Sequence, residues 1–93
     1  MEFTLNKTGT HNAFEYSRGE ERLAEITWVE AGGVMTVDHT YVSPELRGQG
    51  VAKKLLDKAA GYARENKLKM NATCSYVVSA FENSDEYNDI KEM

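Results

Sequence analysis

The stretch PELRGQGVAKKLL, residues 44–56, restricts what this chain can fold into more than any other. Pro44 has no amide donor and restrains Ser43 before it, so the Val-, Thr- and Tyr-rich run Val34–Val42 reads as a strand that must stop there. Beyond the glycines an amphipathic period begins. Val51, Leu55, Leu56, Ala59, Tyr62 and Ala63 recur on one side, and Lys53, Lys54, Asp57, Lys58, Arg64 and Glu65 take most of the other. The spacing predicts a helix over 49–66, with Asn66 as a left-handed residue near its end. Lys69–Cys74 then alternates, with Met70, Ala72 and Cys74 on one face and Lys69, Asn71 and Thr73 on the other. Strand, glycine turn, helix, strand is a crossover unit whose two strands lie parallel. Ligands of such units bind beyond the carboxyl ends of the strands, where the helix begins.

That is where Gly48 and Gly50 stand. Glycine is a poor helix former, so its presence at the mouth of a helix needs a reason. A helix N-terminus offers amide hydrogens without intrahelical partners and a partial positive charge, which suits phosphate or pyrophosphate. A side chain at position 48 or 50 would obstruct that guest. A tight turn serving only strand-to-helix packing explains the same residues without a ligand. Two familiar phosphate loops do not match: GxxxxGK[ST] is absent, and the dinucleotide fingerprint fails because Lys53 stands where its third glycine belongs.

Upstream, the chain reads as antiparallel strands at Phe3–Leu5, Ala13–Arg18 and Arg22–Val29, with turns at Gly19–Glu21 and Glu30–Gly33. Downstream, Tyr76, Val77, Ala80 and Phe81 fit a short helix, and Ser84 is placed to cap a further turn or two through Ile90. A length of 93 residues allows one core, hence one domain over 1–93. One cysteine gives no sign of an oxidising compartment, and there is no signal peptide or bilayer-spanning run, so a cytoplasmic protein without a membrane partner is expected. No exposed apolar stripe calls for self-association, and a monomer is expected. The net charge of −4 argues against nucleic acid. It is unevenly spread: residues 43–69 hold seven basic against three acidic groups, +4, leaving −8 elsewhere. A solvated helix face accounts for this, as does a cationic rim for an anionic ligand with acidic surface left for a cationic acceptor.

Arg47-Gly48-Gln49-Gly50-Val51-Ala52 matches the [QR]-x-x-G-x-[GA] signature and resembles the GNAT superfamily of acetyl-CoA-dependent N-acetyltransferases. TYVSPELRGQGVAKKLL resembles that family's fourth strand, pyrophosphate loop and third helix, and DHTYV and ATCSYV resemble its short, stand-alone YjdJ-type branch. The resemblance covers residues 14–90. It implies an α/β fold: a mixed, mostly antiparallel sheet with a splayed parallel pair at 34–42 and 69–74, one long helix and short C-terminal helices. It implies that the amides of Arg47, Gly48, Gln49, Gly50, Val51 and Ala52 hold the pyrophosphate of acetyl-CoA, with no metal. Tyr41 and Val42 would pair with the pantetheine arm, and Lys53 and Lys54 would meet phosphates or serve solubility alone.

The resemblance also marks Cys74 as the active-site residue, at the strand end where the thioester arrives. An inert small residue is one reading of a lone cysteine. The others are attack on acetyl-CoA to give an acetyl-cysteine, protonation of the leaving coenzyme thiolate, and pocket lining with disulfide exchange. A helix beginning near Ser75 would favour its thiolate. His39, read as sharing a strand face with Met35, Val37 and Tyr41, is either a core histidine or a base for the thiol or an amine. Tyr76 is either a general acid to the coenzyme sulfur or a packing partner of Val77 and Phe81. Asp38 and Glu25 are bases by charge alone, and His11 is given no role.

Two departures stand out: Ala72 replaces a proline common in the branch, and only Lys7–Ala13 fills the gap where larger members carry two helices that wall the acceptor site. The leading function is acetyl transfer to an amine, cationic given the acidic surface, either directly or through Cys74. A non-enzymatic acetyl-CoA-binding module and a generic phosphate-binding domain are the alternatives.

Overall fold

Two glycine turns set the antiparallel half of the molecule. Gly19 (φ 64°) closes the loop between β2 (His11–Arg18) and β3 (Glu21–Ala31), and Gly32 and Gly33 (φ 58° and 79°) close the turn into β4 (Val34–Val42). Positive φ at both central residues is the geometry whose twist matches paired strands. The computed structural model describes residues 2–9 and 11–92. With β1 (Thr4–Thr8) and β5 (Lys69–Ala72) the strands form a five-stranded sheet ordered β1-β2-β3-β4-β5. All neighbours are antiparallel except β4 and β5, which run parallel through the crossover helix α1 (Val51–Glu65). A second helix, α2 (Ser75–Asn83), follows β5. No described helix is long and apolar enough to cross a membrane.

Both helices and the C-terminal turns pack on the same face of the sheet. Val51, Leu55, Leu56, Ala59, Ala60 and Ala63 bury the inner stripe of α1, and Val77 and Phe81 bury that of α2. They meet Phe14, Ile26, Trp28, Met35 and Val37 in one continuous core. Three alanines on α1 let it lie close to the strands. One oxygen of Glu30, Oε2, accepts hydrogen bonds from Asn12 Nδ2, Trp28 Nε1 and the Tyr62 hydroxyl, each at 3.0 Å, fastening α1 to β2 and β3.

The structure corrects several local expectations. Residues 84–90 form turns and not a further helix; Ser84 Oγ does accept the Glu86 amide, at 3.2 Å, and Tyr87 and Ile90 anchor the segment in the core. That segment covers the outer edge of β5, where Met70 N donates to Ile90 O and Glu92 N to Met70 O. Such cover blunts an otherwise open sheet edge. The left-handed residue ending α1 is Lys67 (φ 57°), while Asn66 is the cap itself (φ −101°). His11 begins β2 and does not lie in a turn. Residues 9 and 10 are all that separate β1 from β2, so no helix stands between them.

Candidate functional site

The glycine turn owes its residues first to backbone conformation. Gly48 (φ 83°) and Gly50 (φ 71°) are both left-handed, a region that costs an L-residue about 1–2 kcal/mol. A Cβ built on either would meet no atom within 4 Å, so both face open space. Among the described residues, no backbone carbonyl accepts from the amides of Gly48 to Lys53; the first helical bond runs from Lys54 N to Gly50 O at 3.1 Å. No side chain caps the helix either. Unpaired amides at the positive end of a fifteen-residue helix, with free space before them, suit a diphosphate. Val42, Leu46, Arg47, Val51 and Tyr76 line a depression of about 290 Å³ around this turn.

The depression reaches Val42 at the end of β4, a strand that parts from β5. β4 and β5 pair only from Val34–Lys69 to Val37–Ala72. There the ladder ends: Thr73 N and Cys74 N both donate to Val37 O, at 2.9 and 3.3 Å, and β4 runs on to Val42 without β5 beside it. The strands are therefore splayed, leaving the β4 edge near Tyr41 and Val42 free for an extended, amide-bearing chain.

Cys74 caps α2 from the far side of this gap, half-buried, its Sγ donating to Thr40 Oγ1 at 3.5 Å. Tyr76, in the first turn of α2, is 39% exposed and lines the depression, whereas Val77 and Phe81 are buried. The packing reading of Tyr76 is thereby overturned. Partial burial, the leading cause, raises its phenol above the ordinary range; Lys53 opposes this, and Asp57 and Cys74 add to it. The hydroxyl is thus a proton holder at neutral pH.

His39 is not where alternation alone puts it. Thr27 pairs with His39 but Trp28 pairs with Val37, so Asp38 is an extra, bulged residue. After the bulge, Thr40 and Val42 continue the helix-side face of Met35 and Val37, opposite Ile26 and Ala24, while His39 and Tyr41 turn to the other face, opposite Thr27 and Glu25. Cys74 has Thr40 for its neighbour and His39 has Glu25, whose Oε2 lies 3.6 Å from Nε2. The approach of His39 to the Cys74 thiol, one of the readings left open by the sequence, is not made. On that open face Asp38 Oδ2 lies 3.3 Å from His11 Nε2, and Arg22 bridges Glu15 and Glu25 at 3.4 and 3.2 Å. Sequence reasoning missed Thr40 as the neighbour of Cys74 because a bulge leaves no local signature in a run of Thr, Asp and His, and it missed Glu15, Arg22 and Thr27 because only strand pairing gathers them beside Glu25 and Asp38.

Lys53 lines the depression but its Nζ is held by Asp57 Oδ2 at 2.9 Å and Glu86 Oε1 at 3.2 Å, contacts that raise its pKa. Lys54 lines a separate depression with Glu2, Phe3, Asp57 and Lys58. Of the two lysines, only Lys53 lines the depression at the turn.

The comparisons with known proteins agree with this fold. The family model described as GCN5-related N-acetyl-transferase matches residues 13–90. Among solved structures, a GCN5-like protein from Staphylococcus aureus is 37% identical, with 95% of this chain and 86% of that chain covered and a TM-score of 0.72. Ribosomal-protein-alanine N-acetyltransferase from Brucella melitensis (24% identity, 70% and 53% covered, TM-score 0.62) shares the fold. So does ribosomal-protein-S18-alanine N-acetyltransferase from Escherichia coli (12%, 82% and 52%, 0.67), and this chain spans about half the length of each of the two. No curated protein matched the chain. With a matched segment that takes in the glycine turn, the crossover helix and the splayed strands, the chain belongs to the GCN5-related N-acetyltransferase family.

Proposed function

We propose that this protein binds acetyl-CoA and transfers its acetyl group to an amine. The observation that carries the reading is the row of unpaired amides from Gly48 to Lys53, facing a depression that Val42 and Tyr76 also line. The diphosphate sits on the turn, and the pantetheine arm extends the free edge of β4 at Tyr41 and Val42. The thioester then reaches Cys74. When bound, the coenzyme supplies an activated acyl group; the chain orients it and moves protons.

The bulge at Asp38 divides the labour between the two faces. Cys74 and Tyr76 stand on the coenzyme side, and His39 with Glu25 stands on the other, where an amine approaches. His39 takes the proton of the attacking amine and Glu25 orients its ring. As the C–N bond forms and the C–S bond breaks, the thiolate leaves with its electron pair and receives a proton from Tyr76 or Cys74. If Cys74 instead attacks first, an S-acetyl group forms on Sγ, the coenzyme leaves as thiol, and the amine then displaces Sγ.

Incubation with acetyl-CoA followed by intact mass measurement separates these routes. A one-acetyl gain that vanishes in Cys74→Ser assigns the covalent route; turnover without an adduct assigns the direct one. Titration with acetyl-CoA and with free CoA, followed by amide NMR, tests the site itself: shifts are expected at 41–54 and 74–76. Unmoved Gly48 and Gly50 signals refute the reading. A second reading, a non-enzymatic acetyl-CoA module, is favoured by the absence of any helix between β1 and β2 that would wall an acceptor. Binding without an adduct and without turnover on an amine panel supports it.

A further inference from the structure

The face of the sheet opposite α1 and α2 is covered by no element of the described residues. It carries a shallow depression of about 370 Å³ built across β1 to β4. Glu15, Glu25 and Asp38 line it against one arginine, Arg22, with His11 and His39 each opposite a carboxylate. With neutral histidines those groups sum to −2. The register also puts Val29 and Tyr41 on this face, two of the four large apolar side chains that the described residues leave exposed.

We propose that this face docks a basic polypeptide and that the acceptor amine is a lysine side chain of that polypeptide. The inference rests on the acetyl-transfer reading above. Its physical reason is the lack of walls. A small amine on an open sheet face keeps most of its water, and its attraction to surface carboxylates is screened to little. A polypeptide laid across the face brings its own wall, excludes water, and covers Val29 and Tyr41 as well as the carboxylates. The breadth is sufficient: the molecule is a slab of 34 × 31 × 20 Å, and a face of those two longer dimensions exceeds the ~800 Å² per partner of an ordinary interface. A second copy of this chain is disfavoured as the occupant because two such faces would set acidic surface against acidic surface. The bulge adds the link to chemistry, since it turns His39 toward this face while the next residue, Thr40, meets Cys74 on the other.

Amide NMR on the acetyl-CoA-loaded protein, with decalysine and spermidine as probes, tests this. Decalysine is expected to move the amides of His11, Glu25, Thr27 and His39, with spermidine binding about tenfold more weakly. Glu25→Gln with Asp38→Asn should lower decalysine affinity about tenfold. Asn6→Lys, at an exposed β1 position lining the depression, should weaken it by repulsion without touching the core. Spermidine binding as tightly as decalysine overturns the proposal in favour of a small amine. Open-face signals that move on dilution of the protein alone overturn it in favour of self-association. A silent open face with responsive Gly48 and Gly50 overturns the docking alone, whereas glycines that ignore acetyl-CoA overturn the coenzyme reading.

Discussion

Gly50→Ala separates the two reasons for which glycine stands at the helix mouth. The backbone there is left-handed at φ 71°, where an alanine is disfavoured by about 1–2 kcal/mol. Alanine also restricts the unfolded chain, which returns about 0.4–1 kcal/mol. Because the added Cβ meets no atom within 4 Å, no packing term is added. The net loss is then about 1 kcal/mol, which for a chain of this size lowers Tm by about 4–8 °C. Gly32→Ala is the matched control: its φ is 58°, its Cβ is equally free, and it lies in the β3–β4 turn, away from the glycine turn. Thermal unfolding should give similar losses for both variants. Calorimetric titration with acetyl-CoA should not: Gly32→Ala binds as the parent, and Gly50→Ala loses at least about tenfold, since on the proposed reading its methyl takes space the phosphate needs. Equal affinities for parent and Gly50→Ala would refute the argument. So would a Tm fall several times larger at Gly50 than at Gly32, which would show a packing role.

Other substitutions test the frame that holds the site. Leu56→Ala, fully buried on α1, should cost about 2–5 kcal/mol in urea unfolding. Tyr62→Phe removes one of three donors to Glu30 Oε2 and should cost about 1.5–3 kcal/mol by the same measure, the range for bonds to a charged group. Asp89 is held below its ordinary value of 3.8 by the Arg64 guanidinium. Its folded pKa being the lower one, the pair's stabilisation is full at pH above the unfolded value of 3.8 and is lost as pH falls through the folded pKa. Urea midpoints of parent and Asp89→Asn should therefore differ at pH 7 and converge as pH drops below 3.8; a gap that widens in acid would contradict the assignment.

What the chain itself determined lies in short-range rules. Pro44 stops a strand, Gly48 and Gly50 permit left-handed backbone, and the 3.6-residue stripe from Val51 to Ala63 selects a buried helix face. Each follows from a residue's own dihedral limits or from periodicity within one element, so each was legible without a partner. The crossover topology and the uncapped helix mouth follow from these. The site's assembly did not. Asp38 is an extra residue where β4 pairs with β3, and it carries His39 away from Cys74 and gives the thiol Thr40 as its neighbour. Lys53 is drawn to Glu86, distant in sequence, and Tyr76 is left at the surface by the placing of α2. Those outcomes depend on which segments meet across the sheet, and only tertiary packing decides that.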